Sequence, residues 1–234
     1  MILKHPLKNS SKTYRLETLV ISNPDTSYCK EKNYVRIAEV YHLGNEKDHF
    51  KYHVLVVDFI FSDDDNAMGK FLKQISYLFD ELELTVDQEG NIVEVNNLNF
   101  LRLRWMKIAA RLSETHRGEV IDNYFSQISG VLEDESRLID FLGGYHMFGL
   151  LFNGLLQSFD TRRKRESSDG FTEIMTPVKE EEKITLTLTP ENLDPTEIDH
   201  FRGLFVFKGD HYEEGFIEIK KNSTHLKHSL LWIG

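Results

Sequence analysis

The stretch Phe50–Phe61, FKYHVLVVDFIF, decides how this chain is read. As an extended strand it places Leu55, Val57, Phe59 and Phe61 on one side and Tyr52, Val54, Val56 and Ile60 on the other. Both sides are then largely apolar, which predicts a central strand covered on two faces. The segment that follows, roughly residues 66–159, supplies a cover: a run of closely spaced apolar helices.

Upstream of this strand, Tyr14–Ile21 reads as a strand closed by Asn23-Pro24-Asp25. Tyr34–Leu43 reads as another, joined to Phe50–Phe61 around Gly44-Asn45-Glu46. Downstream, Ser62-Asp63-Asp64-Asp65 offers an N-cap and acidic first-turn charge to a helix over Ala67–Phe79. There Phe71, Ile75 and Leu78 recur at helical spacing. Leu82–Val86 and Ile92–Val95 form a short hairpin whose turn contains Gly90. In Leu98–Leu112 one face carries Leu98, Leu101, Trp105, Ile108 and Leu112. Further helices are predicted over Glu119–Leu132 and Asp134–Leu142. A last one over Tyr145–Phe159 (YHMFGLLFNGLLQSF) is apolar on nearly every side. Short connections predict antiparallel packing of neighbours.

At Thr161–Lys179 the chain turns charged and small, and residues 161–179 are expected to be a mobile loop. Ile184, Leu186 and Leu188 then alternate with Thr185, Thr187 and Thr189, the mark of a sheet with one dry face. Leu204–Phe207, Phe216–Lys220 and Leu226–Ile233 complete a meander, with Trp232 near the end and expected in the core. The predicted fold is α+β: a mostly antiparallel sheet built by strands from both ends of the chain, covered by a central block of four to five helices, in one domain over 1–234.

Composition narrows function by exclusion. Acidic residues outnumber basic ones 38 to 28, giving a formal charge of −10 and repelling a polyphosphate backbone, so nucleic acid is an unexpected partner. One cysteine, Cys29, excludes an intramolecular disulfide and a thiolate-rich zinc site. The first residues contain no apolar run suited to a signal peptide. Phe141–Leu156 is too short and too interrupted by glycine, His146 and Asn153 to span a bilayer. A cytoplasmic protein without a membrane span is expected.

No local pattern carries recognisable chemistry. Asp63, Asp64 and Asp65 lack the alternation and closing glutamate of a calcium loop and read as a capping turn. Asp58 interrupts an apolar strand and reads as an outward-facing carboxylate or an ion pair. His49 and His53 would lie roughly 13 Å apart along a strand, and His225 and His228 would face opposite ways. Neither pair predicts a metal site. HExxH, GxSxG and GxxxxGK[ST] motifs are absent, Cys29 has no helix N-terminus beside it, and no cofactor is expected. Two basic features are candidate partner-binding sites. One is the helical stripe Arg104, Lys107 and Arg111, with Arg102 on its flank. The other is the run Arg162, Arg163, Lys164 and Arg165.

These features favour a non-enzymatic protein-binding or assembly protein, an adaptor or a subunit that meets other chains or itself, by strand addition or through the basic patches. A second reading is an intracellular carrier of an apolar ligand held between sheet and helices. A third is an enzyme whose active site is dispersed along the chain.

Overall fold

The structure, a computed structural model, describes residues 11–63, 65–155, 161–167, 170–194, 196–209 and 211–234, and of 153–155 the backbone only. Three strands open the chain: β1 (Ser11–Ser22), β2 (Lys30–Glu46) and β3 (His49–Phe61). Helix α1 (Ala67–Ser76) and a 3-10 turn (Tyr77–Phe79) lead to the hairpin β4 (Glu81–Val86) and β5 (Ile92–Val95). Helices α2 (Leu98–Thr115), α3 (Glu119–Glu133), α4 (Glu135–Gly143) and α5 (Gly149–Leu155) follow. Six strands finish it: β6 (Arg163–Glu166), β7 (Thr172–Glu180), β8 (Lys183–Glu191), β9 (His200–Lys208), β10 (His211–Lys221) and β11 (Thr224–Trp232).

All eleven strands form one antiparallel sheet in the order β5-β4-β3-β2-β1-β11-β10-β9-β8-β7-β6. Strands from the two ends of the sequence meet at its middle, with Tyr14 opposite Trp232 and Ser22 opposite Thr224. The ladder runs on past Trp232: Ile233 N–H donates to the Thr13 carbonyl at 2.9 Å. The α+β architecture is the expected one, with its helices on one face. Trp232 is half-buried against the core and stacks on His211.

Strand β3 departs from its simple alternation. Ile37 pairs with Asp58 and Ala38 with Val56, so Val57 is an extra residue without a partner. This β-bulge reverses the phase of the strand. Phe59 and Phe61 therefore join Tyr52 and Val54 in the interior, while Val57 and Ile60 are about half exposed. The expectation of two covered faces is corrected: one face is dry and the other open. Asp58 is exposed, as an outward-facing carboxylate should be.

Asn66, not an aspartate, caps α1, its Oδ1 accepting from Gly69 N–H at 2.8 Å. Asp63 faces Lys32 at 3.8 Å, and Asp64 lies outside the described residues. Helix α2 buries the expected Leu101, Trp105, Ile108 and Leu112. Residues 145–148, expected to be helical, form a tight turn before the short α5; the proposed continuation to Phe159 falls outside the described residues. A Cβ on Gly149 would stand 1.9 Å from the Gly143 carbonyl oxygen, so this turn exists only because both backbones can touch. Gly215 serves a similar end beneath α5: its missing side chain lets the Tyr212 hydroxyl reach the Leu150 carbonyl at 3.0 Å.

Residues 161–179 are not one loop. They include β6 and most of β7, paired from Arg163↔Met175 to Glu166↔Thr172. A charged strand is well suited to that place, because an edge exposes its backbone and charge discourages another chain from adding to it.

Candidate functional site

Among the described residues, two of the cavities open between the sheet and the helical layer. The larger is a cleft of about 750 Å³. Its floor is β2, through Tyr34 and Arg36. Its walls are Leu72 and Ile75 of α1, Phe79, Ile128 and Val131 of α3, and Phe141 of α4. Tyr34 stacks on Phe61 at 4.6 Å, so the bulge that turned Phe61 inward also builds the floor. The polar residues at the cleft are Ser76, Ser126, Gln127, Arg137, the phenols Tyr34 and Tyr124, and Arg36 with its guanidinium.

Arg36 is the unusual member. Its Nη1 donates to the His146 carbonyl at 3.2 Å, its Nη2 approaches the Met147 sulfur at 3.5 Å, and the group lies 5.2 Å from the centre of the Phe59 ring. Among the described residues no carboxylate lies within ion-pairing distance of it. Counted over the whole side chain it is only partly buried, but its charged end is deep enough that burial lowers its pKa to about 10.

The second cavity, of about 460 Å³, has a mixed lining in which Ile92, Ile139 and Phe152 stand beside polar side chains. Tyr145, Arg165 and Glu173 meet at its wall. Glu173 is fully buried and sits directly opposite Arg165 in the β6–β7 ladder. Arg165 Nε donates to Glu173 Oε2 at 3.1 Å and its Nη2 to the Tyr145 hydroxyl at 2.8 Å, while that hydroxyl donates to Glu173 Oε1. Burial raises the Tyr145 pKa well above its ordinary value. Burial also opposes the Arg165 charge, but Tyr145 and Glu173 outweigh it and hold the guanidinium charged. One nitrogen, Arg165 Nη1, is buried with no partner.

Of the candidate partner-binding residues, Arg104, Arg111, Lys164 and Arg165 have partners within the molecule. Arg104 pairs with Asp80, one contact being 2.7 Å, and lies over the Phe100 ring. Arg111 donates to Gln74 at 3.2 Å, and Lys107 is exposed. Arg102 donates to the Leu132 and Glu133 carbonyls, capping the C-terminus of α3. In the second run Arg162 and Arg163 are exposed, Lys164 pairs with Glu191, and Arg165 turns inward to Glu173. His225 binds Glu218 at 2.6 Å on the open face, and His228 binds Thr18 at 3.0 Å in the interior. No group of three metal-ligating side chains occurs among the described residues, nor any helix long and apolar enough to cross a membrane.

Tyr34, Arg36, Tyr145 and Glu173 were not singled out from the sequence. A signal was present: Arg36 has the parity of Ala38 and Val40, and Glu173 that of Phe171 and Met175, all buried. A charged residue in phase with a dry face is a buried charge.

No protein-family model and no curated protein matches the sequence. Among solved structures, lipovitellin, described for its lipid–protein interactions, is similar over 97% of this chain, with a TM-score of 0.47 and 9% identity. The chain spans 25% of that protein's length.

Proposed function

We propose that this protein binds and carries an apolar small molecule in the cleft between β2 and helices α1, α3 and α4. The observation behind this is the cleft itself: about 750 Å³, walled mainly by aliphatic and aromatic side chains. That is the size and composition of a small-molecule site. Each buried methylene would contribute about 0.8 kcal/mol, so a modest chain binds well without a dense polar network. A cytoplasmic location belongs to the same proposal; the exposed free thiol of Cys29 suits a reducing compartment.

Gly130 provides the test. It lines the cleft, yet nothing lies within 4 Å of where its Cβ would stand. Gly130→Leu should fold, with a gain in helix propensity of about 1 kcal/mol, and should fill the space. Binding of an apolar fluorophore, measured by titration, is expected to fall at least tenfold. Unchanged binding in a stably folded variant would defeat the proposal.

The assembly reading retains a specific observation of its own. Phe100, Leu103 and Met106 of α2 are 47%, 61% and 67% exposed, and such a patch suits a protein partner. Light scattering on the wild type and on Leu103→Glu/Met106→Glu checks self-association: a monomer in both removes that face as a homomeric contact.

A further inference from the structure

Resting on the carrier reading, we infer that the occupant of the cleft is a single-chain amphiphile whose head is a carboxylate, bound by Arg36. An apolar cleft has no need of a guanidinium in its floor. Arginine cannot shed its charge under ordinary conditions, and its five donors fit a carboxylate fork. Here one donor meets a carbonyl and another a thioether, a weak acceptor, and neither neutralises the charge. The cation–π contact with Phe59 compensates in part and also fixes the plane of the group.

The rest of the surroundings narrows the head group. Arg137, the other cation at the cleft, is largely exposed and lies 3.9 Å from Asp134. A phosphate monoester, with nearly two charges, would exceed what one guanidinium neutralises. A carboxylate would match it. The tail would lie along Ile75, Phe79, Ile128 and Phe141, which line the same cleft. The arrangement reads the ligand at two points, tail by burial and head by charge.

Titration calorimetry with palmitate, methyl palmitate and acetate tests this on the intact protein. Palmitate is expected to bind ten- to a hundredfold tighter than its methyl ester, the range of a charge-assisted hydrogen-bonded pair, and acetate should not bind measurably. Arg36→Met keeps the stem's packing and should lower palmitate affinity to that of the ester while leaving the ester unchanged; Arg36→Lys should retain part of the preference. Equal affinity of the wild type for acid and ester would overturn the head-group assignment and leave the carrier reading standing. Failure of both to bind would overturn the two together. The wild-type comparison holds even if an Arg36 variant folds poorly.

Discussion

Two arginines reach from the sheet toward the helices, and their cross-strand neighbours set their different fates. Arg165 sits opposite Glu173, so the strand pairing itself delivers its counter-charge, and Tyr145 closes the cluster. Arg36 sits between Leu16 on one neighbouring strand and Phe59 on the other, so neither pairing offers a negative group. A charge closed by its own ladder belongs to the architecture. A charge left without a counter-ion in the floor of an apolar cleft is the one that the carrier proposal assigns to a ligand. The same residue type in the same layer thus has two meanings, and the neighbour across the strand separates them.

The largest effect should come from opening the closed cluster. Glu173→Leu would leave Arg165 buried and unpaired, and is expected to cost about 3–5 kcal/mol in urea-unfolding free energy. A loss below about 1 kcal/mol would show that the cluster is not closed as described.

A third interior base sharpens the contrast. His228 is buried beside Tyr145, with ring centres 6.1 Å apart, and burial, aided by His146, lowers its pKa from 6.5 to about 4. The unfolded chain therefore takes up this proton first as the solution is acidified. Stability should fall as pH drops from about 6.5 and level off below about 4, a contribution of about 3 kcal/mol. Urea midpoints between pH 7 and 4 measure this slope, and His228→Gln should flatten it; an unchanged slope would place the proton uptake elsewhere.

Smaller effects separate satisfied from unsatisfied hydroxyls. Tyr145→Phe removes a donor to Glu173 and an acceptor for Arg165, with an expected cost of about 1–3 kcal/mol. Tyr14→Phe removes a buried hydroxyl that has no partner, and should be neutral within about 0.5 kcal/mol or slightly stabilising. Equal costs would mean that the Tyr14 hydroxyl is satisfied after all. Last comes Arg36→Met without ligand, expected within about 1 kcal/mol of the wild type or above it, because an unpaired charge gives way to a thioether of similar length. Thermal unfolding in ligand-free buffer decides it; a loss like that of Glu173→Leu would make Arg36 structural.

Much of the fold is legible in the residues. The 4,3 spacing of Leu101, Trp105, Ile108 and Leu112 gave α2 because packing followed the pattern without interruption. The alternation in β8 and the Gly90 turn held for the same reason. The bulge at Val57 was not legible: valine is an unexceptional strand residue, and only the partner strand shows which position is extra. Strand β6 was hidden because a charged edge strand has the composition of a loop. The cleft was legible only as an idea, space between sheet and helices, since its walls come from segments far apart in sequence. The basic stripe on α2 had no way to announce that Asp80 would engage Arg104.

The junction of β1 with β11 divides the sheet into five strands on one side and six on the other, each a run of sequence neighbours. Either half can grow from local hairpins, but their union waits until the last strand is available, which predicts a slow final folding step. Because Tyr14 faces Trp232, the outward ends of these strands lie at the same end of the ladder. Drawn apart by those ends in optical tweezers, the molecule should come undone through its middle, rung after rung at low force, before either flank is disturbed.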